Sequence, residues 1–299
     1  MILSNNALKK TGPIEKINGF AADLYSMEPL LIYAAAVLFI GFLILKRPYN
    51  LYCAAGGWTA IILSILVDIP HYIYVENNFM YPLFGILGIP FLAITVPEIL
   101  RGNKLTTYLS RGAAIAFLIY IPFGFYEPLG NWLIAVVTSQ VAFLLDIFGF
   151  PANQIAWNMI ENDGFRIEII LACTGIQSIA IMLGLAYCVP SDRRQKLLAF
   201  LAVVPVIYIL NLLRNVFVVM AYTGQWFQVY PEIASNGEIG YESFFWAHNV
   251  MAEMGALIFL VVLALALFKL NPALGEFAEG IVTLYTEKIK KITGSGKDR

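Results

Sequence analysis

Long apolar runs, separated by short polar breaks, set the pattern of this chain. Seven are long enough for membrane helices: Leu30–Leu45, Leu51–Val67, Tyr81–Leu100, Ala113–Tyr126, Ile169–Val189, Leu197–Tyr222 and Phe244–Phe268. A transmembrane helix needs about 20 mostly apolar residues, with a range of about 17–25. The pattern therefore predicts an all-α fold, a polytopic helical bundle of about seven spans. An eighth run, Leu129–Phe150, carries Asn131, Gln140 and Asp146. It reads as an amphipathic helix lying on the outer surface. The polar segment Pro151–Arg166 then reads as an external loop. Residues 1–29 form an N-terminal tail, 30–268 the membrane domain and 269–299 a basic cytoplasmic tail.

Charge orients the bundle. Lys46 and Arg47, then Arg101, Lys104 and Arg111, then Arg193, Arg194 and Lys196 fall in loops on one side, as does the tail with Lys288, Lys290, Lys291, Lys297 and Arg299. The positive-inside rule makes these segments cytoplasmic. Asp68–Phe79 and Thr223–Ser243 lack Lys and Arg and read as external. A crossing by Leu129–Phe150 would put Ser191–Lys196 on the external side and break the rule. Lys9, Lys10 and Lys16 sit on the unfavoured side of this topology. Tyr72, Tyr74 and Tyr81 fit an outer aromatic belt.

Composition agrees with a membrane chain. Of 299 residues, 60% are hydrophobic and 13% charged, against about 45–50% and 25% in a soluble domain. A net charge of -1 gives no reason to expect nucleic-acid binding. Met1–Glu28 lacks an apolar signal core, so no cleavable signal peptide is expected. Cys53, Cys173 and Cys188 show neither disulfide nor metal spacing, and no cofactor is expected.

Three polar side chains interrupt the apolar runs and could share one depth. Arg214 lies between Leu213 and Asn215, Cys173 opens the fifth run and His248 the last. Placing a guanidinium in hydrocarbon costs at least about 2.5 kcal/mol, so such a residue usually faces a polar cavity. Counting from the external helix ends, Cys173, Arg214 and His248 lie about 6, 12 and 6 Å deep. Thr174 and Gln177 flank Cys173, Asn211 and Asn215 flank Arg214, and Asn249 stands four residues before Glu253. These would line a wet pocket between helices. Gly175 and Gly184 would let backbones approach closely.

Such a set suits thiol acyl transfer. A thiolate attacks a carbonyl, a cation favours the thiolate, and hydrogen-bond donors hold the oxyanion. Arg214 would stabilise the oxyanion, and His248 could carry the proton. Taken one at a time, the residues have plainer readings: a core thiol, a structural cation paired with Glu253 or Asp146, and a packing imidazole. His71 reads as a loop residue, and the tail lysines as a topology signal and headgroup contact. No Gly-x-Ser-Gly, Gly-x-Gly-Asp or His-Glu-x-x-His motif occurs.

Leu171-Ala172-Cys173-Thr174-Gly175-Ile176-Gln177-Ser178 resembles the Ala-Cys-[Ser/Thr]-Gly core of the exosortase/archaeosortase family. Asn211-Leu212-Leu213-Arg214 is similar to its Asn-x-x-Arg, and Ser243-Phe244-Phe245-Trp246-Ala247-His248 to its third element. The helix Thr138–Phe150 and the turn Phe148-Gly149-Phe150-Pro151 resemble family features as well. The resemblance implies a multi-pass cell-membrane cysteine peptidase/transpeptidase with its active site facing outside. Its substrates would be secreted proteins, such as S-layer glycoproteins, with a C-terminal Pro-Gly-Phe-type motif, a membrane helix and a basic tail. The helix is removed and the new C-terminus joined to a membrane phospholipid. By the same resemblance Cys173 forms the acyl-thioester, Arg214 assists and His248 occupies the third position. The rival reading is a non-enzymatic transporter or lipid-flipping protein with Arg214 as substrate anchor. Its usual inverted repeats and broken helices are not visible in the sequence.

Overall fold

The computed structural model describes residues 18–74, 80–235 and 238–292. Lys9, Lys10, Lys16, Lys297 and Arg299 lie outside the described residues. The chain runs through α1 (Asn18–Ile44), α2 (Tyr49–Val67), α3 (Ile69–Tyr74), α4 (Met80–Leu100), α5 (Lys104–Phe125) and α6 (Glu127–Ile147). Strands β1 (Asn153–Ala156), β2 (Met159–Asn162) and β3 (Phe165–Glu168) lead into a 3₁₀ turn, Leu171–Thr174. Then come α7 (Ile176–Tyr187), α8 (Arg193–Thr223), α9 (Pro231–Ala234), α10 (Tyr241–Phe244), a π-helical segment (Phe245–Ala252), α11 (Glu253–Leu270) and α12 (Pro272–Ile292).

The all-α bundle expected from the pattern is what forms. Helices satisfy every backbone polar group internally, as lipid demands. Six helical stretches among the described residues are long and apolar enough to cross a membrane: α2, α4, α5, α6, α8, and α10 through α11. Two apolar stretches are shorter, Pro29–Ile44 and Ile176–Tyr187. The 12 residues of α7 rise only about 18 Å, against a hydrocarbon core of about 30 Å. The run Ile169–Val189 is short as a helix because its first residues fold into the 3₁₀ turn.

Two compact units emerge. One draws its described residues from 11–118, Leu183–Leu197 and Leu267 onward. In it α1 and α2 pack through Phe39, Phe42, Leu51, Ala54 and Ala55, joined by Ile99 and Ala114. A Cβ on Gly57 would lie 2.9 Å from the Phe39 ring, so glycine lets the two helices close. Gly184 packs against the Gly112 carbonyl in the same way, the close approach expected of it. The tail region 272–292 is helical, with Leu274 and Phe277 buried. Its Tyr285 stacks on Phe91, and Lys288 Nζ reaches Glu98 Oε1 at 2.6 Å. Lys288 thus has a carboxylate partner within the protein.

The second unit includes Ile119–Met182 and Leu198–Ala266. The segment expected as an external loop is instead a three-stranded antiparallel meander, β1-β2-β3. Asp163 and Gly164 both take positive φ, 51° and 80°, and close the β2–β3 hairpin as a two-residue turn. Ile160 and Ile167 pair across it and are fully buried. Against them pack Val137, Val141 and Leu145, one face of α6 at four-residue spacing. Expected as a surface helix, α6 therefore has the length and composition of a span and a face in the core around Cys173. Its Gln140 is no obstacle to burial, because Tyr208 donates a 2.6 Å hydrogen bond to it.

Candidate active site

Cys173 is placed by a short, strongly specified piece of backbone. After β3, the Ile169 amide bonds to the Asn158 carbonyl at 2.7 Å. The 3₁₀ turn follows, with Cys173 N–H donating to the Ile170 carbonyl at 2.8 Å. Thr174 Oγ1 donates to the Leu171 carbonyl (2.7 Å) and accepts from the Ile176 amide (3.4 Å), joining the turn to α7. Gly175 has φ +79°, the left-handed region. A Cβ at Gly175 would also come within 3.1 Å of the Asn211 carboxamide. The left-handed conformation calls for glycine after Cys-Thr, and the space there is tight.

Two amides of α8 hold this turn. Asn211 and Asn215 are four residues apart, hence on one face. Each donates its Nδ2 to the Cys173 carbonyl, both at 2.7 Å. A carbonyl has two lone pairs, and both are taken. Cys173 and Asn215 are each 2% exposed. Arg214 lies between these two amides in sequence, within one helical turn of both.

Arg214 Nη2 lies 3.2 Å from His248 Nε2. A guanidinium only donates, so Nε2 is the acceptor and the ring proton sits on Nδ1. Nδ1 then donates to Asn249 Oδ1 at 2.7 Å. The Phe244 ring stacks on the imidazole, 4.7 Å away and 12° from parallel. His248 is thereby fixed as the Nδ1–H tautomer with its lone pair toward Arg214. Among the described residues no carboxylate forms a salt bridge with Arg214.

The π-helical segment sets this arrangement. The Glu253 amide bonds to the His248 carbonyl, five residues back. Wider turns shift the four-residue alignment of an α-helix, and such segments recur at functional sites. Asn249 accordingly presents its side chain to His248, next to it in sequence.

A cavity of about 360 Å³ opens beside Arg214. Asn211, Arg214 and Phe217 of α8 face Met251 of the π-helical segment and Gly255 and Phe259 of α11 across it.

Of the residues singled out from the sequence, Asn211 and Asn215 meet at the Cys173 carbonyl, and Arg214, His248 and Asn249 are linked in a second chain of hydrogen bonds. Thr174 serves the turn. Gln177 is exposed on α7, and Glu253 is half-buried at the start of α11. Sequence reasoning missed the Phe244 stack, the Gln140–Tyr208 bond and Gly255. The four-residue spacing of Phe244 and His248 was the available signal for the first.

A polytopic helical protein with a thiol, a guanidinium and an imidazole set within apolar helices is the class that the fold defines. Residues 20–268 match the family described as transmembrane exosortase. Archaeosortase A of Haloferax volcanii is 26% identical over 254 residues, 77% of this chain and 84% of that protein. Archaeosortase A of Natronomonas pharaonis is 26% identical over 249 residues, 77% of this chain and 79% of that protein. No solved structure matches. The chain belongs to the transmembrane exosortase family and is a multi-pass membrane protein.

Proposed function

We propose that this protein is a membrane cysteine transpeptidase that removes the C-terminal sorting signal of secreted proteins and passes the new C-terminus to a membrane lipid. The reading rests on one observation. Cys173 is tied through its carbonyl to Asn211 and Asn215, the neighbours of Arg214, and Arg214 is bonded to His248. The archaeosortase A relatives support it by name.

In this mechanism the Cys173 sulfur attacks the scissile carbonyl and forms a C–S bond. Arg214 turns a donor to the developing oxyanion, and its departure from Nε2 frees that lone pair for the thiol proton. His248 returns the proton to the leaving amine as the C–N bond breaks, and the signal helix departs. A lipid amine then attacks the thioester: a new C–N bond forms, the C–S bond breaks, and the amine proton returns to sulfur by way of His248. Asn211 and Asn215 position Cys173. The active centre faces outward, and the substrate carries a Pro-Gly-Phe-type motif, a membrane helix and a basic tail.

Cys173→Ala and Cys173→Ser, expressed in cells with a tagged substrate, test the mechanism. Both are expected to leave the substrate full length on a gel. Processing at the normal rate in both would overturn it.

A further inference from the structure

The cavity beside Arg214 shares Asn211 and Arg214 with the site just described, and the rest of its lining has no role in that chemistry. Its lining is apolar apart from Ser178, Asn211 and Arg214. At about 360 Å³ it falls within the range of small-molecule sites. The far wall is the small-residue face Ala252, Gly255 and Ala256. Gly255 is helical, and a Cβ built on it would meet nothing within 4 Å. Neither packing nor backbone conformation requires glycine there, in contrast to Gly175. Glycine is a poor helix former, so alanine would suit the helix better. The missing side chain leaves open space next to the cavity.

We propose that this cavity is the binding site for the acceptor lipid, an amphiphile with a phosphate headgroup and a hydrocarbon chain. The assignment rests on the transpeptidase reading. Arg214 lacks a carboxylate partner among the described residues, and only one of its five donors is engaged by His248. An anionic phosphate complements that charge. The chain lies between α8 and α11, along Leu210, Phe217 and Phe259. The headgroup then sits one helical turn from the residues that hold Cys173, where the thioester forms. An apolar peptide side chain would suit the walls equally well but brings no fixed anion to the guanidinium.

The test uses full-length Cys173→Ala protein in nanodiscs containing a phospholipid with a diazirine in its acyl chain. Irradiation and peptide mapping are expected to place label on Phe217, Met251 or Phe259. Adding Gly255→Leu should remove that label. Gly255→Ala should reduce it, with a melting temperature no lower than the parent's, which separates blocked space from misfolding. In otherwise active protein, Gly255→Leu should lower the fraction of cleaved product that carries lipid. Label confined to outward helix surfaces, or unchanged by Gly255→Leu, overturns the proposal. So does a Gly255→Leu protein that retains the label but no longer cleaves, because the cavity would then serve the peptide. The labelling is read on a protein without the thiol, so it reports on lipid even where the cysteine mechanism fails.

Discussion

The two units solve the same solvation problem in different ways. In the unit built on α1, α2 and α4, the backbone is regular helix, glycines sit where helices touch, and polar contacts lie at helix faces or ends. Trp58 reaches Ser110 at 3.1 Å, and Glu98 gathers Arg101, Asn103 and Lys288. In the unit holding Cys173, the backbone departs from regular helix three times: the β-meander, the 3₁₀ turn and the π-helical segment. The 3₁₀ turn leaves the Cys173 carbonyl to be satisfied from outside, and Asn211 and Asn215 supply both donors. The π-helical segment carries His248 and Asn249, which bond to Arg214 and to each other. One unit is regular packing, and the other holds irregular backbone and a network of polar side chains.

The largest expected effect separates the two. Arg214→Lys keeps a positive charge but replaces a planar fork of donors with a single ammonium. If Arg214 stabilises an oxyanion, turnover should fall by about 10²–10³, the usual consequence of losing one such donor. The melting temperature should stay close to the parent's, since Arg214 is half-buried and bonded to a neutral ring. Turnover measured on a synthetic substrate, beside a thermal melt, checks both. A large drop in melting temperature with turnover per folded molecule preserved would make Arg214 a structural residue.

Asn215→Ala comes next. It removes one of two donors to the carbonyl of a buried residue and leaves Asn211 as the other. The expected loss is about 0.5–1.5 kcal/mol of stability, the net range for one hydrogen bond. Turnover should fall with it, because the turn bearing Cys173 loosens. Asn211→Ala should have a milder effect, since Asn211 is only half-buried and water can replace its amide. Equal melting temperatures for the two variants would deny that burial sets the difference.

These contrasts follow what was readable in the residues. Cys173, Arg214 and His248 stood out because polar groups inside apolar runs demand an explanation. Asn211 and Asn215 followed from helical spacing, and so did the bundle itself. The meander was partly legible. Asp163-Gly164 is a hairpin signal, and Ile160 and Ile167 flank it at matching distances. Four-residue strands of mixed polarity looked like a loop because little in them alternates. The burial of α6 was hidden because Asn131, Gln140 and Asp146 suggested water, whereas Gln140 has Tyr208 as a partner. The π-helical segment has no residue signature, and neither does the tautomer of His248, which depends on where α8 puts a guanidinium. Gly255 looked like any helical glycine until its surroundings were visible.

The smallest effect is expected in the packing unit. Glu98 is buried, and one of its oxygens receives both Arg101 and Lys288 at 2.6 Å, while Asn103 donates to the other at 3.0 Å. Glu98→Gln keeps the shape but gives up the charge-assisted bonds. Each is worth about 1.5–3 kcal/mol at most. Arg101 is 66% exposed and Lys288 31%, so both can turn to water and the net loss should be nearer about 1 kcal/mol. The α12 helix would hold less firmly to α4, and limited proteolysis should cut it earlier. Turnover per folded molecule should stay at the parent level, since the hydrogen bonds and ion pairs of Glu98 among the described residues go to Arg101, Asn103 and Lys288. A Glu98→Gln protein that melts normally but loses activity would break the division between the packing unit and the unit that holds the proposed thiol site.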